Sequence, residues 1–144
     1  MMNSPSAATV TRFALPLVIA VLLLGGITVK PCLALDASGC WSGQWYSCKN
    51  GHHGPMTASL CRIDDKHYSA TFRGRFWKIF PFRYRAVLTV TEDTPEYTKL
   101  SGSMYLGRLF GTFSYHSTVT KTCFDSNFRS CRDWGKFEMS RCCQ

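Results

Sequence analysis

From residue 39 onward the chain alternates apolar and polar side chains with a period of two, and no stretch carries the 3.6-residue period of an amphipathic helix. Trp41, Gly43 and Trp45 share one face of a first strand. After the turn Lys49–Pro55, the run Met56–Arg62 alternates Met, Ala and Leu with Thr, Ser and Cys. His67–Arg75 sets Tyr68, Ala70 and Phe72 against Ser69, Thr71 and Arg73, and Phe82–Thr91 puts Tyr84, Ala86, Leu88 and Val90 on one side. Glu92-Asp93-Thr94-Pro95 reads as a polar turn before a fifth strand, Tyr97–Met104. Leu106-Gly107-Arg108 is a tight connection to a sixth, Leu109–Val119, in which Gly111 marks a bend or bulge. Phe124–Ser130 and Lys136–Cys142 complete eight strands. Short strands at even spacing with hairpin-length connections predict an all-β fold, an eight-stranded up-and-down antiparallel barrel, with a sandwich of the same meander as the alternative.

The alternation is densest in Arg73–Arg85, RGRFWKIFPFRYR, which holds four arginines, one lysine and five aromatics in thirteen residues. A hairpin turning near Ile79 would set Arg73 opposite Arg85 and Arg75 opposite Arg83. Both arginine sets then lie on one outer face, with the rings between them facing inward. Trp77, Phe80 and Phe82 are expected at the hairpin tip. In the last strand Arg141 shares its parity with Phe137 and Met139 and so is expected to point inward. A buried guanidinium needs a partner, and in a closed barrel Trp41 or Trp45 on the neighbouring first strand can supply a ring face.

The alternating pattern does not extend to the first residues. Arg12 precedes an apolar run, Phe13–Ile27, and small residues around Ala34 suit cleavage before Leu35. Residues 1–34 therefore read as a signal peptide and 35–144 as a single domain, with no transmembrane span once the segment is removed. Of 17 basic residues, Arg12 and Lys30 fall in the leading segment, leaving 15 against nine acidic residues. That excess favours acidic partners such as anionic polysaccharide or another polyanion. Eight cysteines fit an oxidising compartment, hence secretion, a periplasm or the cell envelope. With Cys32 in the leading segment, seven remain. The barrel meander gathers Cys40, Cys61, Cys123, Cys142 and Cys143 at one end and leaves Cys48 and Cys131 at the other. The expected bonds are Cys48–Cys131, with Cys40 and Cys123 taking Cys142 and Cys143 in either order and Cys61 left free.

Candidate chemistry is sparse. Cys48, His52, His53 and Cys61 do not follow a recurrent zinc spacing, so no metal and no cofactor is expected. No serine sits in a nucleophile elbow, and the nine acids are scattered mostly through turns, so the expectation is a protein without enzymatic activity. Tyr68, Phe72, Tyr84, Phe113, Phe128 and Phe137 either fill the barrel or line a ligand cavity within it.

Two resemblances add to this reading. Gly39-Cys40-Trp41 and Gly43-Gln44-Trp45 on the first strand, with Arg141 on the last, resemble the structural signature of lipocalin- and avidin-like barrels, which implies architecture alone. The string G-x-W-x-G-x-W, G-H-x-G-P, F-x-G-x-F-x-K-I-x-P-F-R-Y, L-G-x-L-F-G-x-F and D-x-G-x-F-x-x-x-R, running from Gly39 to Arg141, resembles a family of small exported planctomycete proteins without a characterised function. It implies export and a single domain. The expected function is therefore that of an exported binding or structural protein of the cell envelope. It would contact anionic polymers through Arg73, Arg75, Lys78, Arg83 and Arg85, without sequence-specific nucleic-acid recognition. The alternative is a carrier whose interior takes a small apolar ligand.

Overall fold

The computed structural model describes residues 33–76 and 79–142. The expected signal segment lies outside these residues except for Leu33 and Ala34, which are exposed coil. The strands are β1 (Gly39–Ser47), β2 (His53–Arg62), β3 (His67–Phe76), β4 (Phe80–Asp93), β5 (Tyr97–Tyr105), β6 (Thr112–Thr120), β7 (Cys123–Arg129) and β8 (Trp134–Arg141). Each pairs antiparallel with the next, and β8 returns to pair with β1 from Trp41↔Arg141 to Ser47↔Gly135. That ladder closes the sheet into an up-and-down barrel and rules out the open sandwich. Among the described residues there is no helix long and apolar enough to cross a membrane.

Inward positions carry the core. Trp41, Met56, Leu60, Tyr68, Phe72, Leu88, Leu100, Tyr115, Val119 and Phe124 are all buried, and their strand neighbours are largely exposed. The period of two seen in the sequence is thus the pleat of a sheet with one dry face.

The two barrel ends differ. At one, residues 33–38 fold across the opening as a plug, burying Leu35 and Ala37. Backbone groups of the plug are met by strand residues. Leu35 N–H donates to Thr94 O (3.0 Å), Thr98 Oγ1 donates to Leu35 O (2.9 Å), and Trp41 Nε1 donates to Ala37 O (3.2 Å). Cys40–Cys142 crosslinks the start of β1 to the residue after β8 at this same end. The other end is open and is formed by the β1–β2, β3–β4, β5–β6 and β7–β8 connections.

Several expectations need correction. The β3–β4 register differs from the expected one: the ladder runs as far as Phe76↔Phe80, and Ile79 N–H donates to Phe76 O (3.0 Å). Arg73 therefore faces Arg83, Arg75 faces Pro81, and Arg85 faces Thr71. Pro81 sits within β4 without breaking it: the recorded β4–β5 pairs run from Thr89 to Asp93, so on that side Pro81 has no ladder bond to lose. Phe82 does not sit at the tip. It pairs with Gly74 and packs inward over it, in space that a Cβ on Gly74 would occupy at 2.3 Å from the ring. The sixth strand begins at Thr112, not Leu109, because Gly111 at φ 72° closes a turn with its N–H on Gly107 O (2.8 Å). The register irregularity lies instead in β4, between Val90 and Glu92.

Neither the expected Cys48–Cys131 bond nor the bond expected at Cys123 is formed: Cys48, Cys131 and Cys123 are exposed free thiols, as is Cys61, the one expected to be free. Cys48 follows β1 and Cys131 follows β7, with β8 running between those strands, so the two thiols line one shallow surface pocket without bonding. Cys143 lies outside the described residues.

Candidate functional site

Two features stand out, an arginine face on the outside of the barrel and a cavity in its open end.

Strand parity alone places the four arginines. Arg73 and Arg75 on β3 and Arg83 and Arg85 on β4 all point outward and are exposed. Cross-strand rows run Thr57–Arg73–Arg83 and Ser59–Thr71–Arg85 over three strands. Directly opposed side chains lie about 5 Å apart at Cβ, so the Arg73–Arg83 pair is a like-charge contact that works against the sheet. Among the described residues none of the four has an ion-pair partner; the recorded pairs are Arg62–Asp65, His67–Asp64, Lys99–Glu92 and Lys136–Glu138. Outward positions of β2 and β3 carry no carboxylate. The nearest acids along β4 are Glu92 and Asp93 at the plugged end. Seven residues of strand separate Arg85 from Glu92, about 23 Å at strand rise, well beyond a Debye length of about 8 Å. No carboxylate on the outer faces of β2 and β3 or on this half of β4 therefore offsets these arginines. A shallow groove runs across it between Pro55, Arg73, Arg75, Pro81 and Arg83. Lys78 lies outside the described residues.

The open end holds a cavity of about 240 Å³. Of the six aromatics singled out as interior residues, Tyr84, Phe113, Phe128 and Phe137 line it, whereas Tyr68 and Phe72 belong to the solid core below. Trp45, Met56, Phe76, Phe82, Phe110 and Tyr115 complete most of the wall. Tyr115 was within reach of sequence reasoning, since it shares the parity of Phe113 on one strand. Arg83, Arg132 and Asp133 stand at the mouth, with Arg132 donating to Leu109 O (3.0 Å). Exposed Ile79, Phe80 and Leu109 rim the same end.

Tyr115 Oη is buried and lacks a hydrogen-bond partner. The Tyr84 hydroxyl is its side-chain neighbour, and the contact between the two phenols acts on the ionisation of both. Burial, reinforced by Tyr115, pushes Tyr84 well above the usual tyrosine range. Burial likewise pushes Tyr115 up to about 12, with Tyr84 pulling slightly the other way. Both hydroxyls are thus neutral at physiological pH.

At the plugged end, Arg141 lies 4.3 Å from the centroid of the Trp41 ring. It donates through Nε to Lys121 O (2.8 Å), through one terminal nitrogen to Ser38 O (2.7 Å) and through the other to Asp36 O (3.3 Å). Trp45 instead donates Nε1–H to Arg75 O (3.1 Å), at the opposite end. The residues weighed as metal ligands are dispersed, because His53 and Cys61 lie eight residues apart on β2, about 26 Å.

Comparison with family models, with curated proteins and with solved structures found no match, so the two resemblances stand on their residues alone.

Proposed function

We propose that this is an exported, non-enzymatic binding or structural protein of the cell envelope that holds anionic polymers against the outer face of β3 and β4. The observation that carries this reading is the set of four exposed arginines on adjacent strands with no ion-pair partner, two of them directly opposed. An anionic chain laid across them relieves the like-charge contact, and guanidinium geometry suits carboxylate, sulfate and phosphate groups. A flat cationic face reads charge density, so selectivity among polyanions is expected to be low. The disulfide is compatible with an oxidising compartment.

The test is affinity for heparin and for an anionic envelope polysaccharide, measured for the wild type and for Arg73→Gln/Arg75→Gln/Arg83→Gln/Arg85→Gln. The wild type should weaken roughly ten- to hundredfold between about 50 and 200 mM salt, as expected for release of up to about four counterions. The fourfold variant should bind at least tenfold more weakly at low salt and fold as stably or slightly more so. Equal affinities for the two proteins would end the idea.

A further inference from the structure

We propose that the open end of the barrel docks on an anionic lipid bilayer, with Ile79, Phe80, Leu109 and Phe110 entering the boundary between headgroups and acyl chains and the rim cations meeting lipid phosphates. This goes beyond the arginine face of β3 and β4, because it needs apolar loop tips as well as charge.

Ten large apolar side chains are exposed among the described residues, and six of them stand at the open end. Ile79 and Leu109, each 73% exposed, lie on the β3–β4 and β5–β6 connections, and Phe80 and Phe110 follow them directly in the chain. The other two, Tyr105 and Trp134, end β5 and begin β8, one step back from the loops, and both are exposed on the outer face. An exposed apolar patch rimmed by polar groups marks an interaction surface. The tips are held in place by contacts between loops. Phe110 stacks on Phe76 with ring centroids 5.8 Å apart, Arg132 donates to Leu109 O (3.0 Å), and Lys49 Nζ donates to Arg132 O (2.6 Å). The β1–β2, β5–β6 and β7–β8 connections are thereby braced together.

Charge selects the partner. The four connections at this end hold Lys49, Lys78, Arg108 and Arg132 and one acid, Asp133. Asp133 is engaged within the protein, accepting from Ser47 Oγ (2.6 Å) and Trp134 N–H (2.8 Å). Six of the nine acids, Asp36, Asp64, Asp65, Glu92, Asp93 and Glu96, lie at the plugged end, where Arg62, His67 and Lys99 pair with three of them. An anionic surface therefore draws the open end toward it first. A polyanion in solution meets such cations equally well but leaves the apolar tips in water. A rigid protein partner needs about 800 Å² of matching surface on each side, and the cavity mouth interrupts this one. A bilayer meets both requirements: its anionic headgroups attract basic side chains, and the boundary beneath them takes apolar ones. Tryptophan and tyrosine sit at headgroup level, which is where Trp134 and Tyr105 stand relative to the tips.

The experiment is vesicle co-sedimentation of residues 35–144 with the disulfide intact. The closed ladder and the plug's bonds lie wholly within these residues, whereas the apolar run Phe13–Ile27 would itself enter lipid. Vesicles of equal parts phosphatidylglycerol and phosphatidylcholine should bind the wild type about tenfold or more tightly than phosphatidylcholine alone. Ile79→Ser/Leu109→Ser keeps every charge and alters two exposed side chains, so the fold is retained. It should bind the mixed vesicles at least about tenfold more weakly, as expected for losing two apolar groups that leave water on docking. Its heparin affinity should stay within about twofold of the wild type, since that contact reads charge. Leu109→Trp keeps an apolar tip, so it should bind like the wild type, and brominated acyl chains should quench its added emission. Equal mixed-vesicle affinities for the wild type and the serine variant would reduce the contact to charge and overturn the proposal. So would equal wild-type affinities for the two vesicle types, unquenched Leu109→Trp emission, or a lipid-free dimer that the serine variant abolishes.

Discussion

Arg141 explains a constraint on Gly39, two positions along β1 from Trp41, the residue it faces. A Cβ at Gly39 would fall 2.7 Å from a terminal nitrogen of Arg141, and Gly39 itself sits at φ 131°. The glycine thus clears the path by which the guanidinium reaches both the Trp41 ring and the plug carbonyls, and the Gly-x-Trp pattern acquires a steric reason. Replacing Arg141 by Met should preserve much of the packing and forfeit the ring contact and three carbonyl acceptors. The expected loss is about 1–3 kcal/mol in chemical denaturation, in the range for hydrogen bonds involving a charged donor. A loss under about 0.5 kcal/mol would mean that water replaces these contacts without penalty. The inward course of Arg141 was readable beforehand, because strand parity with Phe137 and Met139 is a local property. The unpartnered hydroxyl of Tyr115 was not, since parity says which way a side chain points and nothing about what it finds there.

The same contrast holds for whole elements. All eight strands were visible as period-two runs, yet the hairpin register and the start of β6 were misplaced. The β3–β4 ladder runs on to Phe76↔Phe80, which offsets the arginine pairs from the expected ones, and left-handed Gly111 delays the start of β6. The plug was invisible because six residues of coil carry no period. Its chemistry can be tested through Asp36. Burial acts to raise this carboxyl's pKa. Hydrogen bonds from Ser38 N–H (2.9 Å), the Ser38 hydroxyl and the Tyr68 hydroxyl (3.3 Å), with the charge of Arg62, outweigh it and leave the pKa below the ordinary 3.8. A carboxyl depressed in the folded state adds stability that is fully present above its unfolded pKa and is lost as pH falls through the folded value. The wild type should therefore melt above Asp36→Asn near pH 6, and the gap should narrow as pH falls to about 3. A gap that stays constant would show that the plug draws no proton-linked stability from Asp36.

For the molecule as a whole, closure was legible because hairpin-length connections leave a meander few other arrangements, and the β1–β8 ladder now shows it directly. The cavity was not legible, because its volume is a sum over side chains from most of the strands. The Cys40–Cys142 pairing was one of the two expected for Cys40, whereas the intervening position of β8 defeated the Cys48–Cys131 expectation. Replacing Cys40 and Cys142 by Ser should lower stability by about 3–5 kcal/mol, the entropic estimate for a loop of roughly a hundred residues, as read from denaturant midpoints at unchanged m-value. An unchanged midpoint would mean that the unfolded chain is already held compact without the bond. The crosslink also has a mechanical consequence. Cys40 and Cys142 are 102 positions apart in the chain but only 5.3 Å apart at Cα. Tension applied to the chain outside these two residues runs through the sulfur bridge and never reaches the barrel. About 340–370 Å of contour length, at roughly 3.3–3.6 Å per residue, stays out of the load path. While oxidised, the protein would behave under pulling as a short inextensible link; a reductant would convert it into a long tether whose barrel must unfold before it pays out.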